Sequence, residues 1–275
     1  MNRVLQRDNR LTIEEVARKV RMPLSSVYKI VTVFLGLSLR CARWIPKLLT
    51  PVQKKKRVQS SRENMCLYTE NPNNFLGQIV TGDETYLHHY EPENKRASSQ
   101  WVPCGGVGPK KAVRKNSAKK VMALVFLDSM GVLLVEFFRK GRTLTGEIYA
   151  TIIQKLKRVY IRKRGIKKWE DGVYLLHDNA PSHTSMVAQD AINNSGFQQL
   201  SHPPYSPDLA PSDYFLFPKL KNYLRGRTFS SDDELERSAR AWLQHRPPSF
   251  YNTGISAAVY RWDKCIKVKG DYVEK

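Results

Sequence analysis

The stretch KKVMALVFLDSMGVLLVEFF, residues 119–138, holds two apolar runs joined across Asp128-Ser129-Met130-Gly131. Two short runs rich in β-branched and aromatic residues, with a turn-forming Asp and Gly between them, predict a β-hairpin. Working outward, FLGQIVTGDETYLHHYE (75–91) is an apolar run that breaks at Gly82-Asp83, the pattern of a buried strand. After the hairpin the period lengthens. Ile148, Ile152, Leu156 and Val159 fall on one face of a helix expected over 145–164, and eight basic residues lie between Lys155 and Lys168. VYLLHDNA (173–180) reads as a short buried strand ending at Asp178-Asn179, and PSHTSMVAQDAINN (181–194) as a helix. FQQLSHPP (197–204) gives another short strand, and SDYFLFPKLKNYL (212–224) and SDDELERSARAWLQ (231–244) give helices. Three strands, then helices alternating with strands, predict a mixed sheet covered by helices, an α/β or α+β domain.

The 275 residues carry 46 lysines and arginines against 25 acidic residues, a net charge of +21. Such a field selects a polyanion. A membrane is the weaker candidate, because no apolar run approaches the ~18–20 residues that a span needs. The opening MNRVLQRDNR lacks a signal peptide's apolar core, so an intracellular and, for a DNA-acting chain, nuclear location is expected. Cysteines 41, 66, 104 and 265 form no C-x-x-C pair, which predicts free thiols rather than a zinc ribbon or a disulfide framework.

Residues 12–34, TIEEVARKVRMPLSSVYKIVTVF, read as two short helices around a turn. Thr12 and Glu15 fit a capping box. Ile13, Val16, Ala17 and Val20 form one apolar stripe, and Val27, Ile30, Val31 and Phe34 another, with Ser25 or Ser26 as the second cap. This is the pattern of a helix-turn-helix whose second helix brings Ser25, Ser26, Tyr28 and Lys29 to base edges or phosphates; an ordinary helical hairpin shares it. Arg21 stands where the turn usually has glycine. Pro46, Pro51 and the Lys54–Arg57 run mark a linker entering a further helix, the run being a solvated face, a phosphate contact or a nuclear-import signal.

Asp83 and Asp178 each end or interrupt an apolar strand, where ligands gather at the carboxyl ends of a sheet. Asp213 heads a helix whose inward face is Leu216 or Phe217, Leu220 and Leu224, so its spacing turns it toward the sheet. Three converging carboxylates suit Mg²⁺, and two such ions suit phosphodiester cleavage. Each aspartate also has a structural reading, Asp83 as a turn cap after Gly82 and Asp213 as a favourable helix-start charge. Asp128 belongs to the hairpin turn and Asp208 to a proline-stiffened loop. Glu84, adjacent to Asp83 on a strand, points to the opposite face. His177 and His183 lack neighbouring cysteines and an i, i+4 pair, so zinc is not expected.

Together TGDE (81–84), HDNAPSHTS (177–185) and HPPYSPDLAPSDYFLF (202–217) resemble the mariner family of DNA transposases, and 34 residues lie between Asp178 and Asp213, as in that family's triad. The resemblance runs from the helix-turn-helix to RWDKCIKVKGDYVEK at 261–275. It implies an RNase H-like α/β core (75–275), a linker and connecting helix (41–74) and an N-terminal all-α helix-turn-helix module (1–40). It further implies Mg²⁺ or Mn²⁺, two ions, held by Asp83, Asp178 and Asp213. The implied reaction is cut-and-paste transposition: nicking at transposon terminal inverted repeats, then 3′-hydroxyl attack on double-stranded target DNA at TA sites, carried out by a homodimer. WIPKLL (44–49) resembles the family's linker motif, with Lys47 where histidine is usual, and YSPDLAP (205–211) is intact. Only one of the family's two helix-turn-helix units is present, which is the pattern of an N-terminally truncated copy. Two other functions stay open on the sequence: a domesticated or inactive DNA-binding protein acting in repair or regulation, and a nuclease on RNA or RNA–DNA hybrids.

Overall fold

Strand β1 (Ile79–His88) lies at the centre of a five-stranded sheet in which it meets two partners of opposite sense. It pairs antiparallel with β2 (Lys120–Asp128), which pairs antiparallel with β3 (Gly131–Phe138). On its other edge it pairs parallel with β4 (Tyr174–Leu176), which is followed by a parallel β5 (Gln198–Gln199). The order is therefore β3-β2-β1-β4-β5. This computed structural model describes residues 1–42, 44–95, 98–112, 115–139 and 141–273. Positions 274 and 275 of the closing string, and position 43 ahead of the linker motif, lie outside the described residues. The chain divides into two compact units, Met1–Pro46 and Lys47–Lys275.

In the smaller unit, α1 (Asn2–Arg7), α2 (Ile13–Val20) and α3 (Leu24–Lys29) close around Val16, Val27 and Val31. Thr12 and Glu15 make the expected capping box. Arg21 takes the left-handed conformation at φ 51°, as its glycine-like position in the turn implies. Two expectations fail. Pro23 precedes α3 with no side-chain cap, so Ser25 and Ser26 lie inside the helix. Phe34 ends a π-helical turn (30–34) and is 72% exposed, because the wider turn rotates it off the apolar stripe.

The larger unit packs helices on both faces of the sheet. Alternation along β1 and β2 makes two cores. Ile79, Leu87, Val121, Ala123, Val125 and Leu127 pack with α4 (Pro51–Glu70), α5 (Phe75–Gln78), α10 (Phe217–Leu224), α11 (Asp232–Gln244) and α12 (Pro248–Lys267). Val80, Leu124, Phe126 and Leu175 pack with α6 (Gly146–Arg164), α7 (Ile166–Glu170) and α9 (Met186–Ser195). A four-residue helix, α8 (Pro181–Thr184), follows the end of β4. Gly82 allows β1 to cross this second core, since a Cβ there would stand 2.2 Å from the Phe126 ring. The hairpin turn is as read: Asp128 Oδ1 accepts the Met130 and Gly131 amides at 2.9 and 3.0 Å, and Arg164 adds a salt bridge at 2.7 Å. Among the described residues no helix is long and apolar enough to cross a membrane.

The basic run 54–57 is not uniformly solvated. It lies on α4, and Arg57 is fully buried. Its guanidinium donates to Asp208 Oδ1 at 2.9 Å and Oδ2 at 2.7 Å, to Ser206 Oγ at 2.6 Å and to the Gly270 carbonyl at 3.0 Å. Asp208 also accepts the Val273 amide at 2.7 Å, while Arg261 donates to the Asp208 carbonyl at 2.9 Å. One buried ion pair thus ties α4, the proline-rich loop and the C-terminal segment together. Asp208→Ala strands a buried guanidinium and should cost ~3–5 kcal/mol, read from urea midpoints. Arg21→Gly relieves left-handed strain and should stabilise the N-terminal unit by ~1–2 kcal/mol, read as a rise in the urea midpoint of its local unfolding.

Candidate active site

The last pair in the parallel ladder is Thr81 with Leu176. Two residues further along stand Asp83, still on β1, and Asp178, just past the end of β4. β1 does not break at Gly82-Asp83, as the sequence implied; it continues to His88, so Asp83 sits in mid-strand and is only 8% exposed. Asp213 comes from the opposite direction. The loop locked by Asp208 delivers Pro211 into a π-helical turn, Ser212–Leu216, which runs on into α10. Leu216, Phe217, Leu220 and Leu224 are buried as predicted, and Asp213 lies at the sheet with its side chain hydrogen-bonded to that of Asp83.

The three carboxyls differ electrostatically. Burial, then the charges of Asp213, Glu84 and Asp178, push Asp83 well above the ordinary aspartate range. Burial also raises Asp213, and the nearby Asp178 and Glu84 add to that, while its bond with Asp83 works in the opposite direction. Two like charges this close share a proton when no cation is present. Asp178 moves the other way. Burial works against its ionised form, but hydrogen bonds from His183 and the Ala180 amide hold it below the ordinary value.

His183 is the residue that sequence reasoning passed over. Its Nδ1 meets Asp178 Oδ1 at 2.8 Å and its Nε2 meets Glu84 Oε1 at 2.8 Å. Burial alone would lower its pKa; the bonds and charges of the two carboxylates outweigh that and carry it up to about 10. Glu84 does point to the face opposite Asp83, as read, and there it backs the imidazole. The available signal was the five-residue step from Asp178 to His183 across Pro181, which one helical turn folds back. His177 takes no charge: burial, then His183, lower it to about 4. Donor atoms of Glu84, Asp178 and His183 lie within 4.8 Å of one another, yet both imidazole nitrogens are already engaged by the carboxylates.

The donor set that remains open is Asp83, Asp213 and the outer face of Asp178. All are hard oxygens, and among the described residues neither Asp83 nor Asp213 has a side-chain ion pair. That set fits a divalent cation such as Mg²⁺ or Mn²⁺. Beside Glu84 a cavity of about 900 Å³ opens, bordered by Tyr86, Lys119, Lys120, Arg142 and Ser182. Its cationic rim suits a phosphate backbone. In the N-terminal unit Ser25, Tyr28 and Lys29 are exposed on α3 and Ser26 is half-buried.

Comparison with known proteins agrees with this geometry. Residues 91–169 match the family described as Transposase (partial DDE domain), a stretch lying between Asp83 and Asp178. The chain is 32% identical over 241 residues to the Mariner Mos1 transposase of Drosophila mauritiana, covering 87% of this chain and 68% of that protein. The chain belongs to the mariner transposase family. It is also 32% identical over 278 residues to the human histone-lysine N-methyltransferase SETMAR, covering 98% of this chain and 39% of SETMAR. The crystal structure of the Mos1 mariner paired end complex with Mn superposes with a TM-score of 0.81 at 30% identity, over 99% of this chain and 78% of that one. The RNase H-like mixed sheet of this mariner chain is thus that of Mos1.

A raised folded pKa means that the unfolded chain releases the Asp83 proton first. Metal-free protein should therefore lose stability as pH rises from the ordinary aspartate value of 3.8 toward the elevated one. Asp83→Asn should remove that loss, raise the metal-free Tm at neutral pH, and diminish the Tm gain on adding Mn²⁺. Melting curves across pH, with and without Mn²⁺, check all three outcomes.

Proposed function

We propose that this chain is a metal-dependent, cut-and-paste DNA transposase: an endonuclease at transposon terminal inverted repeats and a strand transferase into TA-containing DNA. The observation that carries the reading is a buried carboxyl, Asp83, on the central strand with the charges of Asp213 and Asp178 acting on it, in a mariner-family chain. A role confined to binding DNA leaves unexplained why carboxyls are buried together against their own repulsion. A nuclease for RNA or hybrids has no feature of its own here to favour it.

Asp83, Asp178 and Asp213 would hold the divalent ions, two in number. Bound there, Mg²⁺ or Mn²⁺ would supply activation of the attacking oxygen and stabilisation of the leaving one. The chain's own residues do the rest. Asp83 and Asp213 give up their shared proton to form the site, and His183 holds Asp178 in place. Lys119, Lys120 and Arg142 draw the phosphate backbone along the cavity beside Glu84. In the N-terminal unit α3 offers Ser25, Ser26, Tyr28 and Lys29 to a major groove. The chain acts on chromosomal DNA in the nucleus, as a homodimer that brings two ends together.

A supercoiled plasmid carrying matched terminal repeats, incubated with Mg²⁺ or Mn²⁺, tests the reading. Wild-type protein should nick it, and Asp178→Ala should lower the rate at least ~10³-fold, the scale of losing a main electrostatic contribution to catalysis. Absence of nicking by the wild type, indistinguishable from Asp178→Ala, would refute the enzymatic assignment.

A further inference from the structure

Asp178 has two carboxylate oxygens, and the fold commits one of them. Oδ1 accepts the Ala180 amide at 3.0 Å and faces His183 Nδ1 at 2.8 Å. Oδ2 takes no hydrogen bond among the described residues. On the far side of the ring, His183 Nε2 is anchored by Glu84 Oε1 at 2.8 Å. Glu84 is carried by β1, immediately after Asp83, so the tether links β1 to the segment after β4 that bears Asp178.

The ring itself cannot swing. It is fully buried, with the Tyr149 ring 4.1 Å away and the His177 ring 5.1 Å away, centroid to centroid. Those neighbours are fixed in turn: the Tyr149 hydroxyl bonds His177 Nδ1 at 3.2 Å, and His177 Nε2 bonds Gln199 at 3.3 Å. Gln199, His177 and Tyr149 thus form a hydrogen-bonded line whose two rings pack against the imidazole of His183.

We infer that His183, braced by Glu84, is a positioning residue that locks Asp178 with Oδ2 alone turned toward the metal. The inference rests on the reading of Asp178 as a metal-holding residue. Partners that hydrogen-bond a ligating group fix its orientation, and removing one costs about 10–100-fold in metal affinity. Here the partner selects an oxygen. Asp178 would hold the ion through Oδ2, because Oδ1 is taken by the Ala180 amide and His183.

Calorimetric titration of the full chain with Mn²⁺ tests this, using His183→Gln, His183→Asn, Glu84→Gln and Asp178→Asn. Asparagine places an amide donor near the position of Nδ1, whereas glutamine places it near Nε2. His183→Gln should weaken Mn²⁺ binding by about tenfold or more, and His183→Asn should stay close to wild type. In the plasmid-nicking assay His183→Gln should raise the Mn²⁺ concentration needed for half-maximal rate, with kcat recovering at saturating metal. A purely structural role predicts the same loss in both His183 variants, in step with their melting temperatures. Wild-type affinity in His183→Gln, or equal loss in His183→Asn, overturns the inference. If His183→Gln does not fold, Glu84→Gln carries the test. It keeps the imidazole but weakens its anchor, so it should show a smaller rise in the Mn²⁺ requirement, and an unchanged requirement overturns the inference. Unchanged Mn²⁺ binding in Asp178→Asn would overturn the metal-holding reading itself, whereas lost binding in Asp178→Asn beside wild-type affinity in His183→Gln would overturn only the positioning inference.

Discussion

The carboxyl of Asp83 is the group that the rest of the larger unit has to accommodate. It projects from mid-strand at the centre of the sheet, 8% exposed, where an apolar side chain would cost nothing. Burying an ionised carboxylate costs several kcal/mol unless something compensates it. Its immediate surroundings make the cost larger, since Asp213, Glu84 and Asp178 all act on it with the same sign. Glycine at 82 and threonines at 81 and 85 are the concessions around it. Gly82 gives Phe126 its room, and the buried threonines keep this stretch of the strand's face polar.

Delivering Asp213 to that point requires a second buried charge, this one fully paired. The loop from His202 to Ala210 has only one short 3₁₀ turn of its own, Pro207–Leu209, and Tyr205 is held at φ 55° within it. What fixes it is Arg57, reaching from α4 to Asp208 with two parallel bonds, while Arg261 takes the Asp208 carbonyl. Lys47 of the WIPKLL segment lies 3.8 Å above the Tyr205 ring, so the segment preceding α4 touches the same loop. Prolines restrict the loop locally, and the ion pair chooses which of its remaining conformations persists. Ala210 then accepts the amides of Asp213 and Tyr214, and the π-helical turn begins.

Most of this was legible where chemistry is local. Apolar alternation marked β1, β2 and β3, and the 3.6-residue period marked α6. The Asp128 turn and the Thr12 capping box followed from side chains that bond their own neighbours. Asp213 could be placed because its helix carries an apolar face at fixed steps. What escaped was non-local. Arg57 and Asp208 are 151 residues apart, and nothing within KKKR says that its last member is buried. His183 was weighed only as a zinc ligand and set aside, because one of its two carboxylate partners, Glu84, lies 99 residues away on β1. At Gly82-Asp83 the apolar run is interrupted rather than ended, and the strand continues to His88 because its backbone ladder with β2 does not depend on side-chain polarity.

Charge compensation elsewhere in the molecule gives the clearest account of why the site is shaped as it is. Asp208 has Arg57, Asp128 has Arg164, and Asp178 has His183. With 46 lysines and arginines in the chain, cations are not scarce. Yet among the described residues Asp83 and Asp213 have no side-chain ion pair and stand near enough to act on each other's titration. A guanidinium placed between them would have stabilised the fold directly, by the same bidentate geometry used at Asp208. It would also have filled the space with a group that cannot leave and cannot share its coordination with a phosphate. Leaving the two acids facing each other, their carboxyls raised by burial and by neighbouring charge, keeps the space between them free of a permanent cation. A cation bound there would return the stability given up, by the linkage that makes any ligand of the native state a stabiliser.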